Sequence, residues 1–356
     1  MYNCSLYNII IFLTLFFTCG GAGWDGSITY KNGVMFVENK GTPLQKNRAL
    51  QLAFKYEINF EEKLFSGEPL DKIRDIGIDN SGKIYVCDGG NCRILIFDST
   101  GNYLKTFGKE GQGPGEFLNP NSISFDQENR IYILDSKLRR VSQFNKDGEF
   151  IKSASVREMS LDLAVKDSSS IYLSTLSFLT EGSLIKQSNM RGEIINSFCE
   201  KLEDTDNVSM AGEFGKIYYI DNAIYYAFPY PYRIEKFDYF GNRQMVITLF
   251  KSEFKPASLP KRMQGKEMIL GGSILAKITR MAISESGIIV VNCHFERKAP
   301  ELDFFSKDGK YLQTISLPEN HYLGCIRKGY LYTYVMGFQK FPAITCWEIK
   351  DLNKIN

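Results

Sequence analysis

The sequence predicts an all-β fold, a six-bladed β-propeller of four-stranded blades. Three observations predict it: a repeated turn, a repeated strand pair and the number of repeats. The turn places a glycine between two strands, at Gly101, Gly148, Gly192, Gly241 and Gly309. Glycine adopts the positive φ that such hairpins need. Successive glycines are 47, 44, 49 and 68 residues apart, and a period in the forties indicates stacked units that bury their apolar faces against one another.

A second repeated segment lies upstream of each turn. It is a short apolar strand followed by an Ile-Tyr pair, as at Ile84-Tyr85, Ile131-Tyr132 and Ile171-Tyr172. β-Branched and aromatic residues suit a half-buried pleated surface. Together the two segments predict four short strands per unit, which is the composition of a propeller blade.

The repeats give six blades. We place them at residues 70–108, 119–156, 159–200, 212–250, 277–318 and 320–350. The last unit contains only about three strands, whereas the strand-like segment 53–60 lies upstream of the first blade. We therefore expect residues near 52–66 to supply the outer strand of the last blade, which closes the ring and leaves no free edge between the first and last blades.

Two stretches carry a family resemblance. Residues 84–98, with the sequence IYVCDGGNCRILIFD, resemble an NHL repeat, and residues 106–120, with the sequence TFGKEGQGPGEFLNP, resemble the connector between NHL blades. With the N-terminal layout, the chain is similar to exported bacterial six-bladed propeller proteins, including lipoproteins. The resemblance implies the fold but not the activity, because one propeller scaffold hosts binding proteins, lyases and lactonases.

The charge balance disfavours a nucleic-acid partner. The chain carries 43 basic and 41 acidic residues, for a net charge of +2. Nucleic-acid affinity depends mostly on a basic surface. We therefore expect no nucleic-acid partner. The expected ligand is a protein or a small molecule, and the chain is expected to be a monomer.

The N-terminus predicts export. Residues 7–18 form an apolar run that is too short for a membrane span and typical of a signal-peptide core. Cys19 follows directly, which predicts a signal peptide over residues 1–18 and a lipidated Cys19. Cleavage near Ala22 without lipid, or an uncleaved anchor, are the alternatives. Residues 19–51 would then form a tether, 52–350 the propeller and 351–356 a C-terminal tail, in a periplasmic or cell-surface lipoprotein of a bacterial membrane.

Arginine and aspartate recur at equivalent positions of the repeat. Arg93, Arg140 and Arg233 each lie four residues before a repeated phenylalanine, and Asp88 and Asp135 lie five residues before the first two arginines. The Asp–Arg pairs are expected to clamp neighbouring blades through charge-assisted hydrogen bonds. The alternative is a ligand-binding face made of the three arginines. We expect ligand contact at Arg233, because Phe228 replaces its aspartate, and the aromatic loop residues Tyr230 and Tyr232 belong to the same face.

The search for catalytic residues finds no motif. The chain has two histidines, and no Gly-x-Ser-x-Gly sequence is present. Lyases of the NHL group hold zinc with several histidines, which this chain cannot supply, whereas lactonase propellers use carboxylates and amides. Nothing in the spacing selects ligands among the candidate carboxylates Glu213, Asp221, Asp162 and Glu296. We therefore expect no metal, no cofactor and a non-catalytic recognition module; the alternative is a metal-dependent hydrolase or lactonase with a divalent ion in the central channel.

Two further features remain open. Cys87 and Cys92 flank a tight turn, so a disulfide is conceivable in an oxidising compartment, but small buried hydrophobes are the preferred interpretation. The long interval before Gly309 contains residues 251–277, in which 261–270 could form a short helix. Such insertions usually form loops, often on the binding face.

Overall fold

The repeats fold into six four-stranded antiparallel sheets arranged in a ring. The structure is a computed structural model, and it describes residues 24–44, 50–61, 63–176, 182–202, 214–254, 276–296, 298–335 and 342–350. Every regular element in these ranges is a β-strand. The first strand of each blade contacts the first strands of the blades on either side, so these six strands surround the axis. The predicted six-bladed all-β propeller is confirmed.

The blades follow one another in chain order. Blade 1 contains β6 (Ile73–Ile78), β7 (Ile84–Asp88), β8 (Arg93–Phe97) and β9 (Tyr103–Phe107). Blade 2 contains β10 (Pro120–Phe125), β11 (Ile131–Asp135), β12 (Arg140–Phe144) and β13 (Phe150–Ser155). Blade 3 contains β14 (Ser160–Asp167), β15 (Ser170–Thr175), β16 (Ser183–Ser188) and β17 (Ile194–Glu200).

The second half of the ring repeats this arrangement. Blade 4 contains β18 (Lys216–Ile220), β19 (Ala223–Phe228), β20 (Arg233–Asp238) and β21 (Arg243–Leu249). Blade 5 contains β22 (Ala276–Ile283), β23 (Ile289–Phe295), β24 (Glu301–Phe305) and β25 (Tyr311–Ser316). Blade 6 contains β26 (His321–Arg327), β27 (Tyr330–Val335) and β28 (Ala343–Lys350), and its fourth strand is β3 (Gln51–Asn59).

The N-terminal strand closes the ring. β3 pairs antiparallel with β28, from Asn59 opposite Ala343 to Gln51 opposite Lys350. The side chains of Ile58 and Phe60 are buried, and the Phe60 ring lies 5.6 Å from that of Phe97 in blade 1. The outer strand of the last blade therefore comes from the start of the propeller, as predicted.

The residues just after β3 form a small separate hairpin. β4 (Leu64–Phe65) pairs with β5 (Glu68–Pro69) and not with blade 6. The Phe65 side chain is buried against Phe97 at a ring separation of 5.8 Å. This hairpin links the last blade to the first.

Part of the expected tether is folded. β1 (Ser27–Lys31) and β2 (Val34–Asn39) form a hairpin, and β2 pairs in parallel with β21 at the outer edge of blade 4. The Val37 side chain is fully buried, and the buried Asn39 amide donates to the carbonyls of Thr248 and Gly309, both at 3.0 Å. The tether assignment is therefore wrong for residues 27–39, because their apolar strand sequence completes a sheet edge more than two hundred residues away.

The repeated turn has the predicted conformation. The turn glycines Gly101, Gly148, Gly192, Gly241 and Gly309 have φ between 73° and 90°. Tyr85, Tyr132 and Tyr172 of the Ile-Tyr pairs are fully buried between blades. Local sequence signals thus fix both the turns and the inter-blade core.

Within the described ranges, no helix is long and apolar enough to cross a bilayer.

Candidate functional site: a polar axial channel

The ring has two distinct faces. The connectors between blades and the turns between second and third strands share one face, which we term the connector face. The turns between first and second strands, and between third and fourth strands, share the opposite face, which we term the turn face. Each innermost strand begins at the connector face and ends at the turn face.

The six innermost strands enclose a cavity of about 370 Å³ on the axis. Each strand contributes one lining residue near its connector-face end, and these residues are Asp75, Ser122, Asp162, Lys216, Arg280 and Cys325. We refer to them as the axial ring. In five of the six strands a β-bulge immediately precedes this residue. Bulges re-aim side chains, so the ring is a repeated structural feature of the blades.

Arg280 joins three blades at the ring. Its Nη1 donates to the Asp75 carboxylate of blade 1 at 2.6 Å, and its Nη2 donates to the Tyr334 hydroxyl of blade 6 at 2.9 Å. Burial raises the pKa of Asp75, and Arg280 opposes that shift. Burial also disfavours the charged guanidinium, but Tyr334 and Asp75 together raise the pKa of Arg280 above its ordinary value. The pair is a buried, hydrogen-bonded link across the ring closure.

Asp162 joins three blades on the other side of the ring. One carboxylate oxygen accepts from the Ser122 hydroxyl of blade 2 at 2.9 Å, and the other accepts from the Ile217 amide of blade 4 at 3.0 Å. Asp75 makes the corresponding contact to blade 2, where it accepts from the Ile123 amide at 3.0 Å. Both axial carboxylates therefore hold neighbouring blades together.

The axial ring escaped the sequence search, although a signal existed. Asp75, Ser122, Asp162 and Arg280 each lie nine residues before the first isoleucine of the next strand. Aligning the upstream repeats would have placed these polar residues in one column. Of the carboxylates considered as metal ligands, Asp162 and Asp221 line the channel, Glu296 is exposed elsewhere and Glu213 lies outside the described residues. Across the described ranges, no group of three or more His, Cys, Asp or Glu side chains could hold a metal ion.

The Arg93–Asp88 pair clamps a connector. Arg93 Nε donates to Asp88 at 2.9 Å, and its guanidinium donates to the carbonyls of Phe65, Glu68 and Pro69. Asp88 in turn accepts from the amides of Asp71 and Lys72. The Arg93 side chain is only 5% exposed. The pair binds blade 1 to the hairpin that arrives from blade 6, and Arg93 is not available to a ligand.

Arg140 and Asp135 hold the next connector in the same way but separately. Arg140 donates to the carbonyls of Gln112, Gly113 and Glu116, and Asp135 accepts from the amides of Leu118 and Asn119. The two residues are opposite each other in the β11–β12 register, but no ion pair joins them in the described structure. The expected clamp is therefore made through connector backbone groups and not through an Asp135–Arg140 pair.

Arg233 and the loop tyrosines do not form the expected open face. Arg233 Nε donates to Glu235 at 2.6 Å, and Arg243 Nε donates to the other oxygen of this fully buried carboxylate at 2.8 Å. Tyr232 is also buried, and its hydroxyl donates to Asp303 of blade 5 at 2.8 Å. Burial and the Asp303 charge raise the pKa of Tyr232. The expectation that Tyr232 is an accessible loop aromatic is wrong, while Tyr230 is half-buried.

We expect Arg93→Met to lower the free energy of unfolding by about 2 kcal/mol, because several charge-assisted hydrogen bonds in a buried site are lost. Arg140→Met should cost less, because Arg140 is partly exposed and has no ionic partner among the described residues. Denaturant midpoints measure both effects. Unchanged stability in Arg93→Met, together with loss of ligand binding, would contradict the clamp assignment.

The cysteines of the described structure are free thiols. Cys87 and Cys92 are both buried and do not form a disulfide. Burial raises the pKa of Cys87 well above its ordinary value, so it is not a reactive thiolate. Four sequence predictions lie outside the described residues: the signal peptide expected at 1–18, the lipidation expected at Cys19, the helix expected at 261–270 and the tail expected at 351–356.

The geometry defines a class: a six-bladed propeller with a polar axial channel and clamped connectors. The family model described as 6-bladed beta-propeller, DUF5128, matches residues 67–321, which is more than half of the chain. The chain belongs to this family.

Individual proteins agree with this assignment. The human NHL repeat-containing protein 3 is 29% identical over 85 residues, which cover 23% of this chain and 24% of that protein. The chain spans about a quarter or less of the length of the curated relatives that it matches. The resemblance to NHL-repeat propellers is confirmed by this match and by the six-bladed family model.

Solved structures show the same fold. A protein of Bacteroides fragilis described as exported matches with a TM-score of 0.62 at 12% identity, covering 89% of this chain and all of that one. The virginiamycin B lyase of Staphylococcus aureus matches with a TM-score of 0.52 at 9% identity, covering 84% of this chain and 99% of that one. At these identities the likeness concerns the fold alone.

Proposed function

We propose that the protein is an exported, membrane-tethered recognition module without catalytic activity, and that it binds a small acidic or sugar ligand in the axial channel. The observation that carries this proposal is the axial ring, in which all six blades contribute to one polar cavity. The cavity of about 370 Å³ falls within the range of small-ligand pockets. The connector face is a poorer candidate for the binding site. Its arginines are already engaged, because Arg93 and Arg140 hold connectors and Arg233 binds the buried Glu235 carboxylate.

The lysines of the channel supply contacts for an anionic or hydroxyl-rich ligand, although the lining as a whole is not basic. The channel is lined by four basic side chains (Lys166, Lys216, Arg280 and Arg327) and by five carboxylates (Asp75, Asp126, Asp162, Asp221 and Glu285). Arg280 is engaged with Asp75, and Arg327 lies 3.3 Å from Glu285. The ammonium groups of Lys166 and Lys216 lie over the aromatic rings of Tyr239 and Phe214. A lysine on an aromatic face can still donate hydrogen bonds to an incoming carboxylate.

The alternative is a metal-dependent hydrolase or lactonase. A divalent ion on the axis would require carboxylate oxygens directed at it. Asp75 and Asp162 instead use both of their oxygens to hold neighbouring blades. A metal there would have to replace these links, which favours binding over metal catalysis.

A thermal-shift experiment separates the two functions. Sugar acids such as glucuronate, galacturonate and gluconate should raise the melting temperature of the wild-type protein by mass action, and their neutral sugars should do so less. Ser124→Trp, which fills the channel at a half-buried lining position, should abolish the shift while circular dichroism still reports a β-fold. No shift with any sugar acid, or chelator-sensitive hydrolysis of gluconolactone, would contradict the proposal.

Export and the lipid anchor form a separate part of the proposal. The apolar run before Cys19 and the fold likeness to a protein described as exported support it. Labelled fatty acid should enter the wild-type protein, and Cys19→Ser should abolish the label. An unlabelled wild-type protein whose first residue lies beyond Cys19 would refute lipidation, and retention of the whole chain in the cytosol would refute export.

A further inference from the structure

Blade 4 departs from the repeat at the turn face. The two residues before the turn glycine are Ser99-Thr100, Lys146-Asp147, Met190-Arg191 and Lys307-Asp308 in blades 1, 2, 3 and 5. Blade 4 has Tyr239-Phe240 at this position, and the Phe240 side chain is 71% exposed. The Phe240 carbonyl accepts from the Asn196 amide of blade 3 at 2.8 Å, so the turn is fixed on its neighbour. This contact uses the Phe240 backbone carbonyl, so it does not explain why the side chain at this position is an exposed phenylalanine.

Blade 3 departs from the repeat at the adjacent position. In blades 1 and 2 an aspartate follows the first strand and accepts from the buried tyrosine of the same blade, Asp79 from Tyr85 at 3.1 Å and Asp126 from Tyr132 at 2.9 Å. The equivalent residue of blade 3 is Lys166. Its ammonium lies 3.9 Å from the centre of the Tyr239 ring. The turn carboxylate is kept one residue later, where Asp167 accepts from the Ser169 amide at 2.7 Å, and Lys166 adds a cation directed at the neighbouring blade.

The two departures meet at the channel mouth. Lys166 and Tyr219 line the channel, and the Tyr219 ring stacks on Tyr172 at 5.8 Å. Tyr239 lies under the Lys166 ammonium, and Phe240 packs edge-on against Tyr239 at 5.3 Å. We call Lys166, Tyr219, Tyr239 and Phe240 the aromatic strip. It leads from the channel outward across the boundary of blades 3 and 4.

We propose that the aromatic strip binds an acidic saccharide, with a uronic-acid carboxylate on the Lys166 ammonium and sugar rings against Tyr239 and Phe240. The inference rests on the proposed channel function and adds the substrate class and the face of entry. The C–H groups of a sugar ring carry partial positive charge and pack on the negative face of an aromatic ring. The Tyr239 ring holds the Lys166 ammonium at the mouth, so less side-chain freedom is lost on binding.

Binding to a printed array of acidic and neutral saccharides tests this proposal. The wild-type protein should retain acidic saccharides above neutral ones, and trigalacturonate should bind at least tenfold more tightly in solution than its methyl ester. Phe240→Ala should weaken trigalacturonate binding at least tenfold. Lys166→Met should remove the preference for the acid over the ester.

Two matched variants serve as controls. Phe250→Ala removes a phenylalanine of the same blade that is 72% exposed but lies at the opposite, connector-face end. Lys83→Met removes a turn-face cation of blade 1 that does not line the channel. Both should bind like the wild type, and all four variants should melt at similar temperatures.

The failure of this inference can be distinguished from failure of the channel function. If Ser124→Trp abolishes binding of a sugar acid but Phe240→Ala and Lys166→Met do not affect it, the channel function stands and the strip proposal is overturned. If the array retains no acidic saccharide above its neutral counterpart, the strip proposal is also overturned. Equal loss in Phe240→Ala and Phe250→Ala would show a general surface effect and overturn it as well.

Discussion

A chain that begins at residue 61 is expected to lose its cooperative unfolding transition. It lacks β3, so the pairing of β28 with β3 from Ala343 to Lys350 is lost, and β28, which still pairs with β27 on its other side, becomes an open sheet edge. It also lacks Ile58 and Phe60, whose buried side chains pack against blade 1. An open, apolar edge strand promotes aggregation. Differential scanning calorimetry should therefore record no two-state peak for this chain.

A chain that begins at residue 50 provides the matched control. It keeps β3 and loses the β1–β2 hairpin, with the Val37 and Asn39 contacts to blades 4 and 5, and the backbone hydrogen bond from Leu44 to Tyr311. We expect a cooperative transition at a lower temperature than in the full chain. A cooperative melt of the chain from residue 61, within a few degrees of the chain from residue 50, would show that the ring does not depend on β3 for closure.

Arg280→Met is expected to destabilise the protein by about 3–5 kcal/mol, because it leaves the Asp75 carboxylate buried without its cation. Arg280 is 14% exposed and reaches blades 1 and 6 from blade 5. Denaturant unfolding with an unchanged m-value measures the loss. Lys55→Met, which breaks an exposed pair with Glu348, should have little effect.

The loss of unfolding free energy in Arg280→Met should also depend on pH. Burial raises the folded-state pKa of Asp75, and loss of Arg280 raises it further. The folded state then holds a proton that the unfolded chain releases, so stability falls as pH rises through the folded pKa. The deficit should be smaller at acid than at neutral pH, and Asp75→Asn should restore part of the stability in the Arg280→Met background. A pH-independent deficit, unrelieved by Asp75→Asn, would contradict this account of the ring.

Local patterns predicted most of the fold. The second blade, expected at 119–156, contains strands from Pro120 to Ser155, and the missing outer strand of the last blade is β3. Turn glycines and Ile-Tyr pairs are local signals, so blade boundaries follow from the sequence. The β1–β2 hairpin escaped prediction, because its partner β21 is distant in the chain and parallel pairing has no turn signal.

The candidate site was less predictable, because its contacts join different blades. Register alone suggested equivalent roles for Arg93, Arg140 and Arg233, but the partner of Arg233 is Glu235 on its own strand. Tyr232 follows Pro231 in a loop sequence, yet Tyr232 is buried against blade 5, where Asp303 accepts its hydroxyl hydrogen bond. The axial ring depends on β-bulges that re-aim single side chains. A strict alternation of inward and outward residues along each strand therefore does not predict it. Departures from the repeat, such as Tyr239-Phe240, were visible in the sequence and needed the structure to show what lies beside them.

Hydrogen exchange measured with and without trigalacturonate tests the central claim, that the channel and its turn-face mouth are the recognition site. The account predicts slower amide exchange in the innermost strands of blades 2, 3 and 4, in residues 122–127, 162–166 and 216–221, which line the channel. The connectors at 64–69 and 109–118 should not change, because Arg93 and Arg140 already hold them. Protection confined to those connectors, or no protection in the innermost strands, would contradict it.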